Sequence, residues 1–144
     1  MTDTVKRGQH KQPHPDAVSF RTVIVELKKE YRFEAAHHLP RVPEGHKCRR
    51  VHGHSYKIEL HVRGPVDPQT GWLIDFGVLD EVFEAEVFRK LDHRNLNDVA
   101  GLENSTCENL GAFIWQALRP RIPQLSAVTV WETTDACCTY RGEG

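Results

Sequence analysis

From His52 to Arg63 the chain alternates without a break: His52, His54, Tyr56, Ile58, Leu60 and Val62 fall on one parity, and Gly53, Ser55, Lys57, Glu59, His61 and Arg63 on the other. Successive side chains of a β-strand point to opposite faces, so this stretch reads as a strand with one apolar and one polar side. Such a strand belongs in a sheet covered on one face only. Its first two apolar-side positions are histidines, which aims two imidazoles at one point. The same alternation over Tyr31 to His37 groups Phe33, Ala35 and His37 and turns His38 to the opposite side, which makes His37 the third imidazole. Three neutral nitrogens with a fourth position open is the ligand set of a catalytic zinc, whereas a structural zinc takes four protein ligands. Cys48 places a thiol four residues before His52.

The remaining elements follow from local pattern. Thr22 to Leu27 alternates weakly and reads as a first strand segment, and Pro40 to Lys47 is a loop that delivers Cys48. Gly64-Pro65 ends the long strand, and Asp67-Pro68-Gln69-Thr70-Gly71 supplies a turn. Asp75 is placed to cap a helix carrying Phe76, Leu79, Val82, Phe83 and Val87 at helical spacing, with Arg89 and Lys90 at its end. A loop through Asn95 to Asn104 follows. Ser105-Thr106-Cys107-Glu108 reads as a capping box for a second helix with Leu110, Phe113, Ile114, Ala117 and Leu118 on its buried stripe, stopped by Pro120 and Pro123. Val128, Val130 and Glu132 then alternate with Ala127, Thr129 and Trp131 in a last long strand, with Cys138 to Arg141 as a short partner. Strands, two helices and strands again predict an α+β domain: an antiparallel sheet with two helices on one face.

The chain of 144 residues suits one domain. Residues 1–18 lack periodicity and are expected to form a disordered tail, with a single domain over 19–144. A net charge of −1 argues against a nucleic-acid partner held through phosphates. No apolar run approaches a membrane span, and the first residues are polar with no hydrophobic leader core, so a cytoplasmic protein is expected. Cysteines at 48, 107, 137 and 138 form no Cys-x-x-Cys pair and read as free thiols. Two more features invite a chemical role. Leu91-Asp92-His93 joins a carboxylate to an imidazole directly after a helix, and Glu132 sits on an otherwise apolar strand face, where a carboxylate is costly unless donors reach it.

In order, Phe33-Glu34-Ala35-Ala36-His37, Gly45-His46-Lys47-Cys48, His52-Gly53-His54-Ser55-Tyr56, Gly71-Trp72-Leu73-Ile74-Asp75-Phe76, Leu91-Asp92-His93, Glu103-Asn104-Ser105-Thr106, Glu132-Thr133 and Tyr140-Arg141-Gly142-Glu143 resemble the 6-pyruvoyltetrahydropterin synthase family. Within it, the motifs look most like the bacterial 6-carboxy-5,6,7,8-tetrahydropterin synthases of the queuosine pathway. The likeness spans about Tyr31 to Glu143. It implies a tunnelling fold (T-fold), whose sheets join into a barrel in a homo-hexamer of two stacked trimers, with Lys57, Glu59, His61 and Arg63 lining the barrel. It implies 7,8-dihydroneopterin triphosphate as substrate and 6-carboxytetrahydropterin, acetaldehyde and triphosphate as products. Carried over by position, it assigns His37, His52 and His54 to Zn²⁺, Cys48 to proton abstraction, and Asp92 with His93 to a complementary proton-transfer pair. Glu132 takes the pterin's 2-amino group and ring N–H, and Thr106 the ring edge.

Three alternatives stay open at this level. A 6-pyruvoyltetrahydropterin synthase shares the triad and thiol but eliminates triphosphate without losing two carbons. A cupin would use Glu59 with His52 and His54, against the strand parity that turns Glu59 the other way. A non-catalytic zinc-stabilised module would need a fourth ligand.

Overall fold

The computed structural model describes residues 21–144; the tail expected over residues 1–18 lies outside the described residues. Five strands form one sheet in the order β3-β1-β2-β4-β5. β1 (Ile24–His37) merges the two strand segments read from the sequence into one. It pairs antiparallel with β2 (His52–Pro65) along its whole length, from Ile24 opposite Pro65 to His37 opposite His52. β4 (Leu125–Trp131) lies antiparallel on the other side of β2, and β5 (Cys137–Tyr140) antiparallel beside β4. The sheet is not wholly antiparallel as expected: β3 (Arg94–Asn95) runs parallel to β1 at Ala35 and Ala36. It is a two-residue edge formed where the chain leaves a helix and pairs with the end of β1, at the start of the stretch read as loop from Asn95.

The apolar side of the sheet is covered by two helical rods. The first begins with α1 (Phe76–Phe83), capped by the Asp75 carboxylate, which accepts the Gly77 N–H at 2.8 Å. It continues through a π-type turn over Glu84–Phe88 into the final turn α2 (Arg89–Leu91). A π turn holds more residues than an α turn, so Phe83, Val87 and Leu91, spaced four apart, stay on the buried side. Phe76, expected in that stripe, is instead 45 % exposed at the first turn. The second rod, α3 (Cys107–Leu118), buries Leu110, Ile114 and Leu118. Together the rods meet Phe33, Tyr56, Ile58, Leu60 and Val62 in one core. Burying side chains of this size stabilises each position by about 1.5–3 kcal/mol relative to exposure.

On the sheet's other side Glu59 is 8 % exposed, drawn into a polar network. Trp131 Nε1 donates to it at 3.2 Å, and Lys57, Lys28 and His61 lie 3.6 to 3.8 Å away. This fixes the parity of β2 from both sides: its apolar residues meet helices, and its polar residues meet one another.

Candidate active site

The ladder that pairs His37 with His52 and Ala35 with His54 sets three imidazoles at one end of the apolar face. Their ring centroids are 4.6 to 5.1 Å apart, and each offers a ligand atom within 4.8 Å of the others. His38 is not among them; it points elsewhere, as strand parity requires.

Main-chain oxygens fix how two of these rings present themselves. His37 Nδ1 donates to the Ser105 carbonyl at 2.9 Å, and His52 Nδ1 donates to the Arg50 carbonyl at 2.8 Å. An imidazole whose Nδ1 carries the donated proton presents Nε2 as its ligand atom. His37 is 1 % exposed, and its Nε2 is buried with no hydrogen-bond partner. A buried acceptor left bare is costly unless something occupies it. Burial pushes the His37 pKa below the usual histidine value, and burial followed by the charge of His52 does the same for His54. Neutral imidazoles with one nitrogen tied to a carbonyl and the other free are the form that binds a divalent metal. The donor set therefore fits zinc with an open fourth position. Among the described residues, no fourth His, Cys, Asp or Glu joins the cluster. Tyr56, wholly buried, packs edge-on beneath His54 and His37 at 5.4 and 6.1 Å.

Cys48 sits on a short helical turn, Lys47–Arg49, opened by His46, whose Nδ1 accepts the Cys48 N–H at 3.1 Å. The Cys48 carbonyl accepts from Leu39 N–H at 2.7 Å, which ties this turn to the chain leaving β1. Cys48, the three histidines and Glu132 thereby line one cavity of about 600 Å³, together with Lys47 and Arg50. Glu132 follows the last residue of β4 and is half-buried. Burial raises its carboxyl above the usual range, against the pull of His37 and with a push from Glu108.

Asp92 and His93 lie elsewhere. Both hang on β1 through Glu34, whose N–H donates to Asp92 Oδ1 at 3.0 Å and whose carbonyl accepts the His93 N–H at 2.6 Å. Asp92 Oδ2 accepts from His93 Nδ1 at 2.8 Å, and the Glu34 N–H followed by His93 holds the Asp92 carboxyl below its usual range. His93 adopts φ +55° and its side chain is 78 % exposed. It lines a hollow with Glu34, Gly53, His54 and Ser55, which shares only His54 with the cavity of Cys48. Within one chain, then, the pair is oriented but does not share the thiol's cavity.

Thr106 is the N-cap of α3, its hydroxyl accepting the Asn109 N–H at 3.2 Å, so the cap is one residue later than the capping box anticipated. The shift frees Ser105, which is buried under His37 instead. Ser105 and the Arg50 carbonyl are the residues sequence reasoning missed. So is Asn97, whose amide clamps the His38 N–H and carbonyl at 2.9 Å each and the Glu103 carbonyl at 3.0 Å, joining the end of β1 to the loop that carries Ser105. Main-chain acceptors leave no residue-type signal, but an Asn in a loop between two motifs is a recognisable clamp. Glu59, in its own network on the far face, is no ligand, and the cupin reading falls with it.

Residues 26–143 match the family described as 6-pyruvoyl tetrahydropterin synthase. A Synechocystis protein named 6-carboxy-5,6,7,8-tetrahydropterin synthase is 41 % identical over 119 residues, covering 79 % of this chain and 91 % of that protein. The 6-pyruvoyl tetrahydrobiopterin synthase of Drosophila melanogaster is 35 % identical over 132 residues, covering 81 % and 79 %. The structure of Caenorhabditis elegans 6-pyruvoyl tetrahydropterin synthase matches with a TM-score of 0.79 at 31 % identity, covering 86 % of this chain and 99 % of that one.

Proposed function

Since the chain belongs to the 6-pyruvoyl tetrahydropterin synthase family, we propose that it is a zinc-dependent lyase. It converts 7,8-dihydroneopterin triphosphate and water to 6-carboxy-5,6,7,8-tetrahydropterin, acetaldehyde and triphosphate, as a step of queuosine biosynthesis. The observation that carries this reading is one cavity shared by Cys48, Glu132 and three histidines, in which the buried Nε2 of His37 has no protein partner.

His37, His52 and His54 hold Zn²⁺. When bound, the metal supplies a Lewis acid that lowers the pKa of side-chain hydroxyls and of the adjoining carbon acid. Glu132 accepts hydrogen bonds from the 2-amino group and ring N–H of the pterin, donors that match a carboxylate and offset the burial of its charge. That anchor fixes the ring and directs the side chain toward the histidines. Cys48, in the same wall, takes a proton from the side chain. Asp92 holds His93 with Nδ1 protonated and Nε2 outward, the form that accepts or returns a proton at Nε2. Because His93 borders a hollow of its own chain that lacks Cys48 and Glu132, the pair serves the cavity of a neighbouring subunit in a hexamer of two trimers. Thr106, at the N-terminus of α3, helps hold the ring edge.

The 6-carboxy product is the reading taken from the Synechocystis protein, which this chain matches over 91 % of that protein's length. Mass spectrometry of products from 7,8-dihydroneopterin triphosphate and the zinc-loaded protein separates the readings. Acetaldehyde and 6-carboxytetrahydropterin in equal amounts are expected. Triphosphate with 6-pyruvoyltetrahydropterin and no acetaldehyde would assign the other reaction, and no turnover would remove both.

A further inference from the structure

We propose that Lys47 and Arg50 seat the triphosphate of the substrate, an assignment that rests on the pterin reading of the same site. The argument starts from the sheet register. Trp131 pairs with Lys57, so Glu132, the next residue, is level with Tyr56, while His37 pairs with His52 at the strand's beginning. A strand rises about 3.3 Å per residue, which puts roughly 13 Å along β2 between the level of Glu132 and that of His52. Arg50, Cys48 and Lys47 lie beyond His52, off the end of the strand. All of them line the same cavity. Its wall is thus ordered: a carboxylate, then three imidazoles, then two cations flanking a thiol.

The substrate has the same order. A pterin ring presents donors at one edge, a short hydroxylated chain follows, and a polyanion ends it. With Glu132 on the donors and the histidines beside the hydroxyls, the phosphates arrive at the end of β2.

The cations found there are uncommitted. Lys28, Lys29, Lys57 and Lys90 each lie within 4.0 Å of a carboxylate. Among the described residues, no carboxylate comes that close to Lys47 or Arg50. The loop from 41 to 50 carries Arg41, Lys47, Arg49 and Arg50 against a single acid, Glu44. Arg49 is not part of the seat: its guanidinium donates to the Val42 carbonyl at 3.0 Å, and it is absent from the cavity wall. An arginine fork and a lysine point charge are complementary means of holding phosphate oxygens. The competing location is the polar side of the sheet, where Arg32 and Lys57 border a hollow that also reaches Glu132. Lys57 is already engaged there by Glu59 and stands 4.7 Å over the Trp131 ring.

The test uses the zinc-loaded full chain with Lys47→Gln, Arg50→Gln, the double variant, and Arg32→Gln. Zinc content is measured throughout. The Arg50 carbonyl that orients His52 survives the side-chain change, so zinc is expected to stay constant. Each single variant is expected to raise KM for 7,8-dihydroneopterin triphosphate about tenfold and to weaken competitive inhibition by inorganic triphosphate by a similar factor. Binding of unphosphorylated 7,8-dihydroneopterin is expected to stay unchanged. Unaltered triphosphate inhibition in the double variant overturns the proposal, as does an equal loss for the unphosphorylated pterin. A loss in Arg32→Gln alone moves the phosphates to the polar face and also overturns it. A wild-type protein that binds inorganic triphosphate through Lys47 and Arg50 yet neither binds nor converts the pterins would sink the pterin reading while leaving the anion seat standing.

Discussion

His37 and His38 are neighbours with opposite fates, and strand parity is the cause. His37 faces its partner across the ladder at His52, whereas the backbone of His38 is clamped by Asn97 on the way out of the strand. The expected consequence is about one zinc per chain in the wild type. His37→Ala should lose it, with affinity falling a hundredfold or more, and His38→Ala should retain it near the wild-type level. Elemental analysis of dialysed protein checks this, and the reverse pattern would contradict the ligand assignment. The triad also sets a pH dependence. His37 and His54 have folded pKa values below the unfolded histidine value, so the unfolded chain binds more protons once the pH drops beneath about 6.5. Their contribution to stability is complete above that value and declines as pH falls from it toward the folded values. The zinc-free protein should therefore show a falling thermal midpoint between about pH 7 and about pH 5. The slope should be shallower in His54→Asn, and zinc should be released over the same interval because protons compete for the same nitrogens.

At the level of elements, α3 begins where it does because Thr106 caps it, and that start leaves Ser105 free to lie under His37. Thr106→Ala is expected to cost about 1 kcal/mol in denaturant unfolding and Thr106→Ser much less. Equal losses in both would show that the methyl group, not the cap, matters. This junction also shows what the sequence disclosed. The long strand, its parity, the three histidines and the Asp75 cap were legible because side-chain type repeats with the period of the element. The cap at Thr106 was misplaced by one residue because Ser105 and Thr106 are both competent caps, and only the depth of His37 decides between them. The parallel edge at Arg94 and the π turn over Glu84–Phe88 left no readable pattern, since each depends on where the chain is held by the rest of the fold. Cys48 and Glu132 were visible as residue types, while their shared cavity depends on β4 lying beside β2, a pairing between distant segments.

For the molecule as a whole, the separation of Asp92–His93 from Cys48 within one chain predicts a site completed across subunits. Cys48→Ala and His93→Ala proteins should each be inactive. Dissociated and reassembled together they should recover activity, since random mixing leaves roughly a quarter of the interfaces with both wild-type contributions. Hybrids that demonstrably exchange subunits and remain as inactive as the parents would place the whole apparatus in one chain. The tethering of His37 and His52 has a separate implication for how such a protein changes over generations. The atoms that hold the two rings are the carbonyls of Ser105 and Arg50, which every amino acid at those positions would supply. Substitution of the exposed Arg50 side chain leaves that carbonyl in place so long as the backbone path is kept, so position 50 is free to diversify toward new ligands while the metal centre is inherited unaltered, whereas Ser105, wholly buried against the His37 ring, is held to a small residue.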